Sequence, residues 1–219
     1  MNQYRQAFTA LLYGGVLIAY SAKSFADEQP MGRTVTGGDS IELLNQWPAI
    51  AKAPKSGLAT FEVLLKPDQA AIDRPRSFVM TLSNRGGRDS AGISITFSQG
   101  KVVGSILGFR LMASKVAAAE KWTHVALTIN TKTINKQAKL WVDGQLVGER
   151  LVLEKWPSSF EVAKMLSDHW NQGRVYSGEL GDIRFSRVIR YEKKFTPPSS
   201  LPNDKETSFH IKAVKLSSD

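Results

Sequence analysis

Hydrophobic and polar residues alternate along most of the chain after residue 38. Phe61, Val63 and Leu65 alternate with polar neighbours until Pro67-Asp68 ends the run. The same period of two recurs within residues 78–82, 93–97, 125–129, 140–142 and 209–213. A period of two is typical of strands with one buried face. Many short strands closed by turn residues predict an all-β sandwich or barrel.

The turns indicate how these strands pair. Asp143-Gly144 follows the run at Leu140 and Val142, and both turn residues tolerate the positive φ angles of a tight hairpin. Such hairpins favour antiparallel pairing. The alanine- and lysine-rich stretch from Leu111 to Lys121 favours helix by propensity alone. It has no clear apolar face, so we interpret it as strand and loop.

The first 26 residues have the features of a secretory signal peptide. Arg5 precedes an uncharged apolar run from Ala7 to Tyr20, and Ser24-Phe25-Ala26 offers small residues at a cleavage site. The alternative is a retained membrane anchor, but Gly14-Gly15 weakens a spanning helix, so no permanent membrane span is expected. We expect cleavage and one domain over residues 27–219, since no linker or repeat divides that range.

The net charge and the absence of cysteine bear on where the protein is located and what it binds. The full chain carries +9, and removal of residues 1–26 takes away Arg5 and Lys23 and leaves +7. An exported chain with no cysteine has no disulfides, which suits a bacterial periplasm or exterior. The positive balance favours anionic partners such as acidic polysaccharides. The alternative is that the charge serves solubility alone.

Three motifs in order resemble one known family. They are Trp122-Thr123-His124-Val125-Ala126, then Leu140-Trp141-Val142-Asp143-Gly144, then 178–186 (GELGDIRFS) with Arg190-Tyr191 and Phe195-Thr196-Pro197-Pro198. Together they resemble the laminin-G-like domains of the concanavalin A-like lectin/glucanase superfamily, in their bacterial form. The resemblance covers roughly residues 59–214. It implies an antiparallel two-sheet jelly-roll sandwich, with the terminal strand returning beside the first.

Several motif residues have structural interpretations. We expect Trp122 and Trp141 to pack in the interior, because large aromatic side chains account for much core burial. His124 is expected to make a satisfied hydrogen bond. Asp182 and Arg184 share one side of their strand, so they form a local ion pair or hold an adjacent loop.

Catalytic patterns are absent from the sequence. Glucanases of this superfamily carry a Glu-x-Asp-x-x-Glu strand whose carboxylates act as nucleophile and acid, and no such triplet occurs here. Glu179 and Asp182 face opposite sides of a regular strand, unless a bulge at Gly181 changes this. No nucleophile elbow, phosphate loop or zinc spacing is present either. No catalytic residue is therefore assigned.

Calcium is the one cofactor that the sequence neither indicates nor excludes. Some domains of the family hold it with loop carboxylates and carbonyl oxygens, which leave little trace in a sequence. Asp89, Asp168 and Asp182 are the candidate ligands.

One loop combines the residue types that sugar recognition requires, namely aromatic faces with planar polar groups. Its candidate ligand-binding residues are Asp168, His169, Trp170, Asn171, Arg174 and Tyr176. The alternative is that Trp170 folds back over the edge of the core. The basic residues from Arg184 to Lys194 do not predict nucleic-acid binding, because only Tyr191 is interleaved with them.

These observations predict an exported binding module, secreted or periplasmic, whose partner is an anionic or cell-envelope glycan. A structural or protein-interaction domain that binds an envelope protein is the second hypothesis. A polysaccharide hydrolase or lyase with an unusual site is the third.

Overall fold

The computed structural model describes residues 33–35, 41–42, 56–83, 92–106, 109–132, 136–152, 159–166 and 174–212. Thirteen strands and one short helix lie in these ranges. The strands are β1 (Arg33–Val35), β2 (Ile41–Glu42), β3 (Leu58–Pro67), β4 (Ser77–Ser83), β5 (Gly92–Ser98), β6 (Lys101–Ile106), β7 (Phe109–Val116), β8 (Thr123–Asn130), β9 (Gln137–Val142), β10 (Gln145–Leu151), β11 (Val162–Met165), β12 (Gly178–Ser186) and β13 (Thr207–Ile211). Helix α1 (Gln69–Asp73) is capped by Asp68, whose carboxylate accepts from the Ala71 N–H.

The strands form two antiparallel sheets. Sheet A has the order β1-β12-β3-β8-β9-β10, with β13 also paired to β12, and sheet B has the order β2-β11-β4-β5-β6-β7. Strand β3 pairs along one edge of β12 from residue 178 to residue 186. Strands β1 and β13 therefore share the other edge, at residues 178–180 and 183–186. The prediction of an all-β, two-sheet antiparallel jelly-roll sandwich is confirmed. In the described ranges, however, the terminal strand β13 pairs with β12 and not with the first strand.

One apolar interior lies between the sheets. Phe61, Phe185 and Phe209 of sheet A form a cluster with ring centroids 6.0 to 6.4 Å apart. From sheet B, the ring of Phe97 stacks on the fully buried Tyr176. Gly104 of β6 faces this interior, where a Cβ atom would lie 2.9 Å from Leu127 Cδ1. A side chain at this position would have to displace Leu127, so glycine allows the two sheets to pack closely here.

The strand and turn predictions agree with the structure where it describes them. Asp143 and Gly144 have φ angles of 48° and 72°, as the hairpin prediction requires. The stretch from residue 111 to residue 116 belongs to β7 and not to a helix. Ala213, at the end of the last predicted run, lies outside the described residues, as do residues 1–26.

In the part of the chain that the structure describes, α1 is too short and too polar to cross a membrane, and no longer helix occurs.

Candidate functional site

The outer face of sheet A is closed by its own chain. Residues 187–206, which we call the covering segment, follow β12 and lie across this face without regular secondary structure. Thr60 Oγ1 donates to the Val188 carbonyl at 2.7 Å and accepts from the Arg190 N–H at 3.0 Å. Further along, the Phe195 N–H donates to the Gly144 carbonyl at 3.1 Å. The covering segment is therefore fixed to β3 and to the β9–β10 hairpin.

A buried carboxylate lies at the centre of the contact between the covering segment and sheet A. Glu62 is fully buried, and its Oε1 accepts from Arg184 Nε at 2.7 Å. Its Oε2 accepts from the Tyr191 hydroxyl at 2.6 Å and lies 3.2 Å from His124 Nε2. Burial raises the pKa of the Glu62 carboxyl, but the hydrogen bonds from His124 and Arg184 outweigh burial and hold the pKa below its usual value. Glu62 is thus an ionised, hydrogen-bonded anchor.

Aromatic residues of the covering segment complete the closure. Tyr191 and Phe195 stack with centroids 3.7 Å apart and an interplanar angle of 9°. The His124 ring meets both of them edge-on, and Phe195 also packs against Trp141. These rings contact one another and hold the covering segment against sheet A.

The basic stretch after β12 does not form one patch. Arg184 is paired with Glu62, and Arg190 donates to Ser186 and to Asp204 at 2.6 and 2.7 Å. Arg187 donates to the Lys205 carbonyl. Among these five, Arg187, Lys193 and Lys194 are exposed, whereas Arg184 is buried and Arg190 is half-buried.

The outer face of sheet B is different, because a row of polar residues crosses it. In the strand register, Lys164 of β11 lies opposite Thr81, Thr81 opposite Ser94, Ser94 opposite Ser105, and Ser105 opposite Arg110 of β7. Neighbouring residues such as Leu82 and Ile95 point into the core, so this row points outward. It places three hydroxyls between two cationic side chains.

Two hydroxyls on this face are buried without a partner. Thr81 and Ser83 are 8% and 5% exposed, and in the part of the chain described neither hydroxyl oxygen has a hydrogen-bond partner. A buried hydroxyl that makes no hydrogen bond costs about 1–3 kcal/mol. Beside the row, the Arg76 guanidinium lies 5.7 Å from the centroid of the Phe78 ring.

The predicted ligand loop is attached to sheet B. Asp168, His169, Trp170 and Asn171 lie outside the described residues, so their role stays a prediction. The described residues on either side of them pair with β4. The Leu166 N–H donates to the Val79 carbonyl at 2.9 Å, and the Phe78 N–H donates to the Arg174 carbonyl at 3.0 Å. The loop thus begins and ends beside β4.

The two remaining residues of that set differ in exposure. Arg174 is half-buried at the base of the loop. Tyr176 is fully buried, and its hydroxyl donates to the Glu179 carbonyl at 3.1 Å. Burial is the main cause that raises the pKa of Tyr176 well above its usual value. Its ring is a core residue because of the stacking on Phe97, and it has no face exposed to a ligand.

The structural interpretations of the motif residues are confirmed, and for Asp182 the structure decides between its two alternatives. Trp122 and Trp141 are buried, and Trp141 Nε1 donates to Thr128 Oγ1 at 3.2 Å. His124 is hydrogen-bonded to Glu62 through Nε2, although its buried Nδ1 has no partner among the described residues. Asp182 does not pair with Arg184. It holds an adjacent loop instead, since its Oδ2 accepts from the Leu201 N–H at 3.0 Å.

A bulge does occur at Gly181. The pairing of β12 with β3 shifts between Leu180 and Ile183, so Glu179 and Asp182 come to lie on the same side of the sheet. They have separate partners there: Glu179 forms an ion pair with Lys66 at 2.7 Å, whereas Asp182 accepts from the Leu201 N–H. The glycine is required, since a Cβ atom would lie 2.8 Å from Leu64 Cβ.

The described residues do not assemble a metal site. No group of three or more His, Asp or Glu residues lies close enough to hold an ion in these ranges. Asp89 and Asp168, the other candidate calcium ligands, lie outside them.

Comparison with protein-family models now identifies the chain. The model described as concanavalin A-like lectin/glucanases superfamily matches residues 46–192, which is well over half of the sequence. The chain belongs to this superfamily. A search of curated protein sequences gave no significant match.

Solved structures show the same superfamily fold at low sequence identity. A candidate carbohydrate-binding protein from Bacteroides ovatus matches with a TM-score of 0.56 and 14% identity, over 75% of this chain and 47% of that one. The CBM40 of a Ruminococcus gnavus IT-sialidase bound to α2,3-sialyllactose matches with a TM-score of 0.56 and 14% identity, over 72% and 90%. A leech intramolecular trans-sialidase has a TM-score of 0.55 and 14% identity, over 74% and 26%. The chain thus spans about half of the first protein and about a quarter of the third.

Sequence reasoning missed the polar row on sheet B of this superfamily member. Thr81, Ser94 and Ser105 are ordinary outward residues of three separate strands, and each is unremarkable in the linear sequence. The signal that would have found them is the register, which brings side chains far apart in sequence into one line.

Proposed function

We propose that this chain is an exported carbohydrate-binding module, and that an anionic glycan lies on the outer face of sheet B. The observation that carries the proposal is the row from Lys164 to Arg110. Hydroxyl side chains both donate and accept, as sugar hydroxyls do. A cationic group at each end suits a carboxylate or sulfate, since charge-assisted hydrogen bonds are the stronger ones.

The other large face supports this choice by elimination. The covering segment occupies the outer face of sheet A, and its aromatic and charged residues are already paired with one another. The relative bound to sialyllactose is a precedent, within this fold, for an acidic sugar.

The test is titration of residues 27–219 with α2,3-sialyllactose, heparin and other acidic oligosaccharides, by calorimetry at low and high salt. Neutral lactose is the matched ligand, because it lacks the acidic sugar of sialyllactose. We expect an acidic glycan to bind, and we expect added salt to weaken the binding. Arg110→Ala with Lys164→Ala should lower the affinity at least tenfold, which corresponds to about 1.4 kcal/mol.

The matched control is Lys193→Ala with Lys194→Ala, which removes the same charge from the covering segment. If both double variants lose equal affinity, only net charge matters and the proposed face is wrong. If no glycan binds and affinity capture retains an envelope protein even after glycosidase treatment, the protein-interaction hypothesis replaces this one.

Export is part of the proposal and is tested separately. We expect the chain expressed in a bacterium to appear in the periplasm or medium, with a mass that corresponds to a start at Asp27. An intact chain that stays with the membrane fraction would instead support a retained anchor.

A further inference from the structure

A pocket lies on the side of the sandwich opposite the polar row, beside the bulge of β12. The pairing of β1 ends at Leu180 and that of β13 begins at Ile183, so Asp182 faces a gap between the two strands. A half-open pocket of about 540 Å³ adjoins this gap. Its volume is within the range of small-molecule sites. The polar row of sheet B contributes no residue to it.

The pocket brings together several kinds of polar side chain. Asp182, His210 and Lys212 line it with the hydroxyl-bearing Ser200 and the amide-bearing Asn203. These residues come from β12, from β13 and its continuation, and from the end of the covering segment. Convergence of acceptors and donors from separate segments on one cavity is typical of a binding site.

One of these groups has no partner. The side chain of His210 is 8% exposed, and its Nε2 makes no hydrogen bond among the described residues. Asp182 Oδ2 lies 3.8 Å from this nitrogen, which is too far for a direct hydrogen bond. An oxygen about 2.8 Å from both atoms, the usual hydrogen-bond distance, would bridge them. A hydroxyl placed there donates to the carboxylate and accepts from the ring N–H.

The charges of the lining favour an uncharged ligand. Asp182 and Lys212 balance each other. Burial is the main cause that lowers the pKa of His210 below its usual value, so the ring is neutral at pH 7. The lining also lacks the additional carboxylates that a calcium site requires.

The wall of the pocket adds an apolar surface. Leu201 and Pro202 line it next to the polar groups, and their position is fixed by two hydrogen bonds. The Leu201 N–H donates to Asp182 Oδ2 at 3.0 Å, and Arg184 Nη1 donates to the Pro202 carbonyl at 2.7 Å. Such a wall suits the C–H face of a sugar ring, whose rim of hydroxyls then meets the polar residues.

We propose that this pocket binds one neutral sugar unit, with a hydroxyl bridging Asp182 and His210. This second site is separate from the anionic glycan face of sheet B and does not depend on it. It gives the module two ligands of different charge on opposite sheets.

The test is saturation-transfer difference NMR on the purified chain with glucose, galactose, mannose and N-acetylglucosamine. Glycerol serves as the probe for unspecific polyol binding. We expect at least one sugar to bind saturably in the millimolar range and to shift the imidazole resonances of His210. His210→Phe and Asn203→Ala should each weaken binding about tenfold, the effect of losing one hydrogen bond.

The controls separate this site from sheet B. Lys205→Ala, just outside the pocket, and the double variant Arg110→Ala with Lys164→Ala should leave neutral sugar binding unchanged. If His210→Phe fails to fold, Asn203→Ala and Ser200→Ala decide, because both side chains are exposed. The proposal is overturned if no sugar saturates, if glycerol binds equally well, or if the pocket variants bind as the unmodified chain does.

Discussion

The hydroxyl of Tyr191 donates to Glu62 Oε2 at 2.6 Å, across 129 positions of sequence. This bond joins the covering segment to a carboxylate at the centre of sheet A. Because Glu62 is fully buried, each donor that reaches it offsets part of the cost of taking a charge out of water. The bond therefore stabilises the closed face of sheet A.

Removal of this hydroxyl should weaken the whole domain. We expect Tyr191→Phe to lower the free energy of unfolding by about 1.5–3 kcal/mol, the range for hydrogen bonds to charged groups. Urea denaturation measures the change. Glu192→Gln is the control, because this neighbour is exposed. Equal stability of Tyr191→Phe and the unmodified chain would show that the covering segment does not depend on this contact.

Removal of the carboxylate itself should cost more. Glu62→Gln leaves the Arg184 guanidinium, which is 4% exposed, without its counter-ion. Breaking a buried pair in this way typically costs about 3–5 kcal/mol. The double variant with Arg184→Met should recover part of the loss in the same urea experiment. Additive losses in the double variant would contradict a direct coupling between the two residues.

The same carboxylate predicts the response to acid. The pKa of Glu62 is lower in the folded protein than in the unfolded chain. Its contribution is therefore complete above the unfolded value, about 4.3, and is lost as the pH falls through the folded value. Urea midpoints should drop below about pH 4.3, and the drop should be smaller in Glu62→Gln.

Asp204 also contributes to the loss of stability in acid, because its hydrogen bond from Arg190 holds its pKa far below the usual value. Its contribution must be distinguished from that of Glu62. Asp204→Asn is the matched control, and it should retain the acid response that is due to Glu62. An unchanged pH profile in Glu62→Gln would contradict the assignment.

Gly144 links the hairpin to the covering segment. Its φ angle is 72°, and a Cβ atom would lie 1.9 Å from the Phe195 carbonyl oxygen. Gly144→Ala should therefore cost more than about 1 kcal/mol and should release the segment near Phe195. Limited trypsin digestion should then cut faster at Lys193 and Lys194. The exposed neighbour Gln145→Ala should be cut at the unmodified rate, and equal rates in both variants would contradict the contact.

The sequence predicted those parts of the fold that depend on local pattern. The period of two in Phe61, Val63 and Leu65 follows from the pleat of a strand, and the turn at Asp143-Gly144 follows from backbone preferences. Strand β10 was not predicted from a pattern, because it is an edge strand with mostly exposed residues. Without one buried face, it carries no periodic signal.

Long-range contacts could not be predicted in this way. Because Asp182 and Arg184 share one side of a strand, the sequence predicts either an ion pair between them or a contact with an adjacent loop. The structure pairs Arg184 with Glu62, which lies opposite it on β3, and the bulge at Gly181 directs Asp182 to Leu201. The polar row on sheet B depends on register across five strands, which no single stretch of sequence specifies.

The most direct test of the proposed binding face is a ¹⁵N–¹H titration of the assigned domain with the acidic glycan that binds. The account predicts chemical-shift changes at the amides of Thr81, Ser94, Ser105 and Arg110, and at those of the loop around Trp170. Changes confined to the covering segment and the outer face of sheet A would contradict it.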